Sequence, residues 1–516
     1  MSKLSPAAPL ALLGLLLATP VAAAKADLVR SGGVIGGSLT YTIEGDPFEL
    51  FALLPSTTAG PTPLLLLDPF DGRALDVGID LLSLMVVGSL GSSGTQSVVF
   101  PLTTATSLVG VPIYAQAMTI PGMPTVVDEI TNVTSFVLGM PGDSHLAIGG
   151  LSEDTAAFSS VGLDDGRVLL GGGSTTDLLG NTVPSSDLRV FEPQTQTFTD
   201  LAASLTYATI APAVVKLSDG RVLFCGGLGA GESVLSGASI FDPVSGNSSA
   251  AASMGTSRTQ HTATLLADGR VFVTGGIKAI NAADPIASLG DILKSSEVYD
   301  PVANSWSSAA SMSLPRVGHQ ASLLPSGRVL ITGGLEIGSL FGIPLPSIVS
   351  TAMRYNPVNN SMIGTSGMSG PRALHGQMTL ADGRVLVVGG ADGDVLTQNF
   401  NSLSTCRTYD EGTNSWTNVT SLPEVRTFPN LAELGGEVHV LSGLGTIDVL
   451  TLTGNPVLTI ATGDLTTFGW TTVGSMVYGR PLSAAIPIDG GERVLVVGPG
   501  DNGTAAFDRS AEVYIP

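Results

Sequence analysis

Residues 261–276 read HTATLLADGRVFVTGG, and the second half of that stretch recurs along the chain. It returns as DGRVLLGGG at 165–173, DGRVLFCGG at 219–227, SGRVLITGG at 326–334 and DGRVLVVGG at 382–390. Two worn copies follow, GGEVHVLSG at 435–443 and GGERVLVVG at 490–498. Phased on Arg167, Arg221, Arg270, Arg328, Arg384, Glu437 and Arg493, the copies lie 49 to 58 residues apart. A period of that length specifies one supersecondary unit stacked many times. Asp-Gly between two apolar runs predicts a tight hairpin, with a type I′ turn carrying two residues at positive φ. The run after the turn (Val271, Phe272, Val273) is apolar on both faces, which marks a strand buried on both sides. The glycine pair ends that strand where a missing Cβ permits a close approach.

A second unit lies 20 to 30 residues further on: VFEPQTQTF, IFDPVSGNS, VYDPVANSW, RYNPVNNSM and TYDEGTNSW. An aromatic closes a third strand at Phe191, Phe241, Tyr299, Tyr355 and Tyr409, a turn follows, and a fourth strand is anchored at Phe198, Ser248, Trp306, Met362 and Trp416. Six or seven residues later a Met or Leu follows, at Leu205, Met254, Met312, Met368 and Leu422. This register resembles the kelch repeat, in its bacterial, galactose-oxidase-like form, over residues 144–516. The resemblance implies a seven-bladed kelch-type β-propeller, one four-stranded blade per copy. The last copy stops at Pro516, short of its fourth strand. Counting back on the same register, residues 144–151 are expected to supply that strand and close the ring.

The first 24 residues read as a secretory signal peptide: Lys3 at the positive end, an apolar run over 9–19, and small residues at a cleavage point after Ala24 or Ala26. The apolar run is short for a membrane span. The expected location is therefore outside the cytoplasm, secreted or in the cell envelope, with no membrane span once the signal is removed. Residues 27–140 lack the repeat and show short apolar runs between Gly, Pro, Ser and Thr clusters, the pattern of a β-sandwich. Within them FPLTTATSLVGVPIYAQAMTI resembles a small β module of predicted secreted bacterial proteins through Leu108, Gly110, Tyr114, Gln116 and Ala117. That resemblance implies no known activity, and Tyr114 and Gln116 are read as structural. The whole is an all-β chain: an N-terminal β-sandwich, then the propeller.

The formal charge is −21, with charged residues at 13% of the chain, so no basic surface is available to neutralise phosphates and nucleic acid is excluded as a partner. The two cysteines, Cys225 and Cys406, fall in blades nearly opposite one another and are expected as buried free thiols. A nucleophile elbow, a zincin helix, a P-loop and a dinucleotide fingerprint are all missing from the sequence.

On blade topology, the loops joining second to third strands share one face with those leading into each new blade. The long insertions at 173–187, 277–296, 335–352 and 391–405 lie there, so the ligand face is assigned to it. Arg-x-x-His recurs on that face as Arg258/His261, Arg316/His319 and Arg372/His375, with Arg426 and Arg480 alone in the last two blades. These eight residues are candidates to ring the channel mouth and hold an anionic or sugar ligand, but the stronger reading of residues that recur with the repeat is that each braces its own blade. Asp392 and Asp394, and Asp501 with Asn502, are candidate Ca²⁺ loops through oxygen ligands at alternate positions. The galactose-oxidase resemblance implies a copper site built from a Tyr–Cys crosslink, a second Tyr and two His. Outside the repeat positions only Tyr41, Tyr114, Tyr207 and Tyr478 remain for it. The expectation is a monomeric, non-catalytic binder of a protein or carbohydrate ligand. A copper-radical oxidase and a structural surface component are the alternatives.

Overall fold

The computed structural model describes residues 26–64, 73–120, 127–152, 156–176, 182–281, 287–340, 343–395, 397, 399–447, 454–480, 482–498 and 509–516. The region proposed as a signal peptide lies outside the described residues, as do Asp501 and Asn502. In the third copy, Thr262–Leu265, Val271–Thr274, Ser296–Asp300 and Ser305–Ala309 form one antiparallel sheet in chain order. Among the described residues the repeat region holds seven such four-stranded sheets, here numbered by their DGR copy. Their innermost strands touch in sequence, and that of sheet 7 (Ala484–Ile488) touches that of sheet 1 (Ser159–Gly162), so the sheets form a closed ring. The fourth strand of sheet 7 is Ser144–Leu146, which comes from before the first copy. It runs antiparallel to Glu512–Tyr514, with Ser144 opposite Tyr514 and Leu146 opposite Glu512.

The second strand of each sheet lies between two sheet neighbours, which explains its unbroken apolar run: Val271, Phe272 and Val273 have no exposed surface. Residues from adjacent sheets share one core. Phe272 of sheet 3 stacks on Tyr355 of sheet 4 at 4.0 Å between ring centroids. Leu205, Met254, Met312, Met368 and Leu422 are all buried beneath the connections from one sheet to the next. Polar stitches add direction to the packing. Trp306 Nε1 donates to Ala252 O of the preceding sheet at 2.7 Å, and Trp416 and Trp470 repeat the contact on Ser366 O and Thr420 O.

The DGR hairpins differ from the type I′ expectation. Leu266 N donates to Arg270 O and Gly269 N to Leu266 O, so Ala267, Asp268 and Gly269 form a three-residue loop. Gly269 alone has positive φ, at 85°, as in a type I turn completed by a left-handed bulge residue. The worn sixth copy is the one with a two-residue loop: Leu434 pairs with Glu437, and Gly435 and Gly436 both have positive φ.

The chain divides into two compact units. The first comprises the described residues up to Arg30 with Thr40–Val99 and Tyr114–Thr134; the second comprises Ser31–Leu39, Phe100–Ile113 and Ser135–Pro516. In the first unit Leu50–Ser56 lies between Val86–Ser89 and Pro112–Ile120. Its inner face (Ala52, Leu54, Met118) packs on Leu75 and Val77 of a two-stranded sheet. Gln116 is buried there, accepting from Asp76 N and donating to Thr131 O, which makes it a structural tie.

Candidate functional site

Each sheet begins at the channel mouth with a residue in the left-handed conformation: Ala157, Ala211, Gln260, Gly318, Leu374, Phe428 and Leu482, with φ from 48° to 65°. Only one of the seven is glycine. Such conformations cost about 1 kcal/mol or more each for other residues and persist where the surroundings impose them. Here the cause is a backbone contact between neighbours. Phe428 N donates to Leu374 O, Leu374 N to Gly318 O, and Ala211 N to Ala157 O.

Beneath this rim lies a cavity of about 410 Å³, lined by the first residues of the innermost strands of sheets 4 to 7. Gln320, Gln377, Asn430 and Ser483 supply amides and hydroxyls; Phe428, Pro429 and Leu482 supply an apolar edge. Asn430 Nδ2 donates to Ser442 Oγ at 2.6 Å and Ser483 Oγ at 2.9 Å, which fixes its orientation. His375 also lines the cavity and is pushed down to about 3 by burial, so it is neutral at physiological pH. The cavity wall therefore carries hydrogen-bonding groups and no formal charge.

The five arginines singled out from sequence do not face this cavity. Arg258, Arg316, Arg372, Arg426 and Arg480 are at most 1% exposed. Each guanidinium clamps the loop between second and third strands of its own sheet. Arg258 Nη1 donates to Gly275 O at 3.0 Å and Ser295 O at 2.9 Å, and its Nη2 to Ser295 Oγ at 2.9 Å. Arg316 repeats this on Gly333 and Thr351, Arg372 on Gly389 and Thr405, and Arg480 on Gly498 and Ser510. Arg426 does so on Ser442 and Thr459. The Ser or Thr acceptor was missed in the sequence, although it forms a column four residues before the aromatic at Ser295, Thr351, Thr405 and Ser510.

The arginine carbonyl and the histidine serve the sheet-to-sheet junction. The second glycine of each pair donates its N–H to the next sheet's arginine carbonyl, as Gly276 N to Arg316 O at 3.0 Å and Gly334 N to Arg372 O at 2.8 Å. The first glycine leaves room for the next histidine. A Cβ on Gly275 would lie 2.5 Å from His319 Cε1 and 2.6 Å from Arg316 O. His319 Nε2 is 3.2 Å from Thr262 Oγ1, His375 Nε2 is 2.8 Å from Thr332 Oγ1, and His261 Nε2 is 3.8 Å from Cys225 Sγ, all on the preceding sheet. Burial, with the neighbouring arginine adding, pushes His261 and His319 down to about 3. The glycine pair and the Arg-x-x-His are thus two halves of one clasp.

Cys225 and Cys406 are free and buried, each pushed up to about 12 by burial. Tyr299, Tyr355 and Tyr409 each donate to an Asn five residues on, in the turn before the fourth strand. Among the described residues no three His, Cys, Asp or Glu side chains converge. Asp392 accepts from Gly393 N and Asp394 from Thr397 N, both within their own hairpin.

The Kelch motif family matches residues 258–313, which run from Arg258 through the whole of sheet 3. The chain is a kelch-repeat β-propeller. Kelch-like protein 41b of Danio rerio is 32% identical over 95 residues, 18% of the propeller chain and 14% of that protein. Alpha-scruin of Limulus polyphemus is 29% identical over 145 residues, 28% of this chain and 15% of its own. The propeller chain thus spans only a small part of the curated relatives it matches. Among solved structures, a fungal alcohol oxidase of the AA5 family in complex with copper superposes with a TM-score of 0.56 at 17% identity. That alignment covers 73% of this chain and 76% of the oxidase, and it shows a shared fold.

Proposed function

We propose that the propeller is an exported, non-catalytic binding protein whose ligand enters the channel mouth on the long-loop face. The observation that carries this reading is the 410 Å³ cavity with an uncharged hydrogen-bonding wall and one apolar edge. Amides and hydroxyls of fixed orientation match the hydroxyls of a neutral carbohydrate, and an apolar edge at Phe428 suits the C–H face of a sugar ring. A peptide loop presents related groups and is the competing occupant. Export rests on the apolar N-terminal stretch and its small-residue cleavage point.

A neutral-glycan array followed by calorimetry tests the binding, with uncharged peptides as the second arm. Gln320→Ala, which removes an amide from the wall, is expected to weaken a bound glycan about tenfold while leaving the melting temperature unchanged. Binding confined to peptides would replace the carbohydrate reading, and an unchanged affinity in Gln320→Ala would move the ligand away from the mouth. The N-terminal sequence of the protein recovered from the culture medium tests export, with Lys25 or Asp27 expected first.

A further inference from the structure

In blades 2, 3 and 7 the residue two positions after the Ser/Thr acceptor register caps the backbone that leads into the blade. In blade 3 it is Glu297, whose carboxylate accepts from Gly255 N, Thr256 N and Arg258 Nη2. In blade 7 it is Glu512, which accepts from Val477 N, Tyr478 N and Arg480 Nε. In blade 2 it is Ser239, whose hydroxyl accepts from Thr206 N. Three blades thus place an acceptor there facing donors, while blades 4 and 6 place Met353 and Ala461.

Blade 5 places a donor there. Arg407 is 8% exposed, its Nε donates to Ser369 Oγ at 2.7 Å and Asn418 Oδ1 at 3.1 Å, and its Nη1 is buried without a partner. Its Nη2 lies against Gly370, the backbone that a carboxylate caps in blades 3 and 7. Neither the Ser369 nor the Gly370 N–H has an acceptor among the described residues. The neighbouring clamp Arg372 is fully buried and has no carboxylate in ion-pair contact; its Nε has no partner, as in Arg258, Arg316 and Arg426, whereas Glu512 engages that atom in blade 7. Blade 1 also carries an arginine in this register, Arg189, but there Asp200 lies opposite and pairs with it at 2.9 Å. In blade 5 the opposite residue is Asn418, which brings no charge.

We infer that the shoulder of blade 5 is a binding site for a small monovalent anion, a carboxylate or a halide. The anion occupies the place of the missing glutamate, held by Arg407 Nη1, Arg372 Nε and the Ser369 and Gly370 N–H groups. Two buried guanidiniums without a counter-charge are costly, and a bound anion restores the pairing that blades 1, 3 and 7 build in. Ser369 is exposed, which gives the anion access from solvent.

Crystals soaked in bromide test the site directly: an anomalous peak is expected within hydrogen-bonding distance of Arg407 and Gly370. In solution, acetate or chloride is expected to raise the melting temperature by about 2 to 4 °C over gluconate at equal ionic strength. Arg407→Glu restores the carboxylate of blades 3 and 7 and is expected to melt cooperatively with no anion preference. If that variant does not fold, Arg407→Met and the bromide map decide in its place. A map without the peak, or a variant that keeps the full anion response, overturns the assignment.

Discussion

Three histidines, His261, His319 and His375, are buried as neutral imidazoles at successive blade junctions, each with its pKa pushed down to about 3. The unfolded chain takes up protons on these rings below about pH 6.5, while the folded state refuses them until about 3. Stability is therefore complete above pH 6.5 and is lost as pH falls toward 3. Each ring contributes about 1.4 kcal/mol per pH unit inside that window, so the three together give a slope of about 4 kcal/mol per unit. Urea melts at pH 6.5, 5.5 and 4.5 are expected to show it, and His375→Gln to flatten it by about a third. The Glu512–Arg480 pair at ring closure is fully buried, and Glu512 also accepts from Ser144 Oγ of the closing strand. Glu512→Ala leaves the guanidinium buried and uncompensated and is expected to cost about 3 to 5 kcal/mol. Arg270→Ala removes only a half-exposed pair with Asp268 and is expected to cost under about 1 kcal/mol in the same urea melts.

At the scale of the element, each glycine pair does different work at its two positions, and conformation is the smaller part of it. Gly246 has φ of 68° and nothing near its missing Cβ, so Gly246→Ala is expected to cost about 1 kcal/mol from backbone strain alone. Gly275 has a similar φ, but its Cβ would meet His319 and the Arg316 carbonyl. Gly275→Ala is expected to lower stability by more than about 3 kcal/mol in the same urea melts. The hairpins show the limit of local reading in another way. Asp-Gly or Ser-Gly announced a turn in the five good copies, yet all five take three-residue loops, and the two-residue loop with two positive φ values is at Gly435–Gly436 of a worn copy. Loop length depends on where pairing resumes, at Leu266 and Arg270 rather than one residue further in, and the alternation of the flanking strands sets that.

At the scale of the molecule, the ring is held shut by chain from before the first repeat, so deleting residues 144–151 is expected to leave sheet 7 with a free edge. Amide exchange of Glu512 through Tyr514 should then accelerate by orders of magnitude while that of Val271 through Thr274 changes little. The sequence by itself determined the repeat, the strands, their doubly buried second runs and the aromatic and methionine anchors. Those follow from periodic apolar burial, which is written locally and repeated in each copy. The roles of Arg258, His261 and their counterparts were decided only by the tertiary structure. A guanidinium that clamps Ser295 and one that meets a ligand are the same letter in the sequence, and partner and burial both come from chain some 37 residues on or from the neighbouring sheet. For the same reason nothing in the sequence marks Arg407, which only its register sets where blades 3 and 7 place a glutamate.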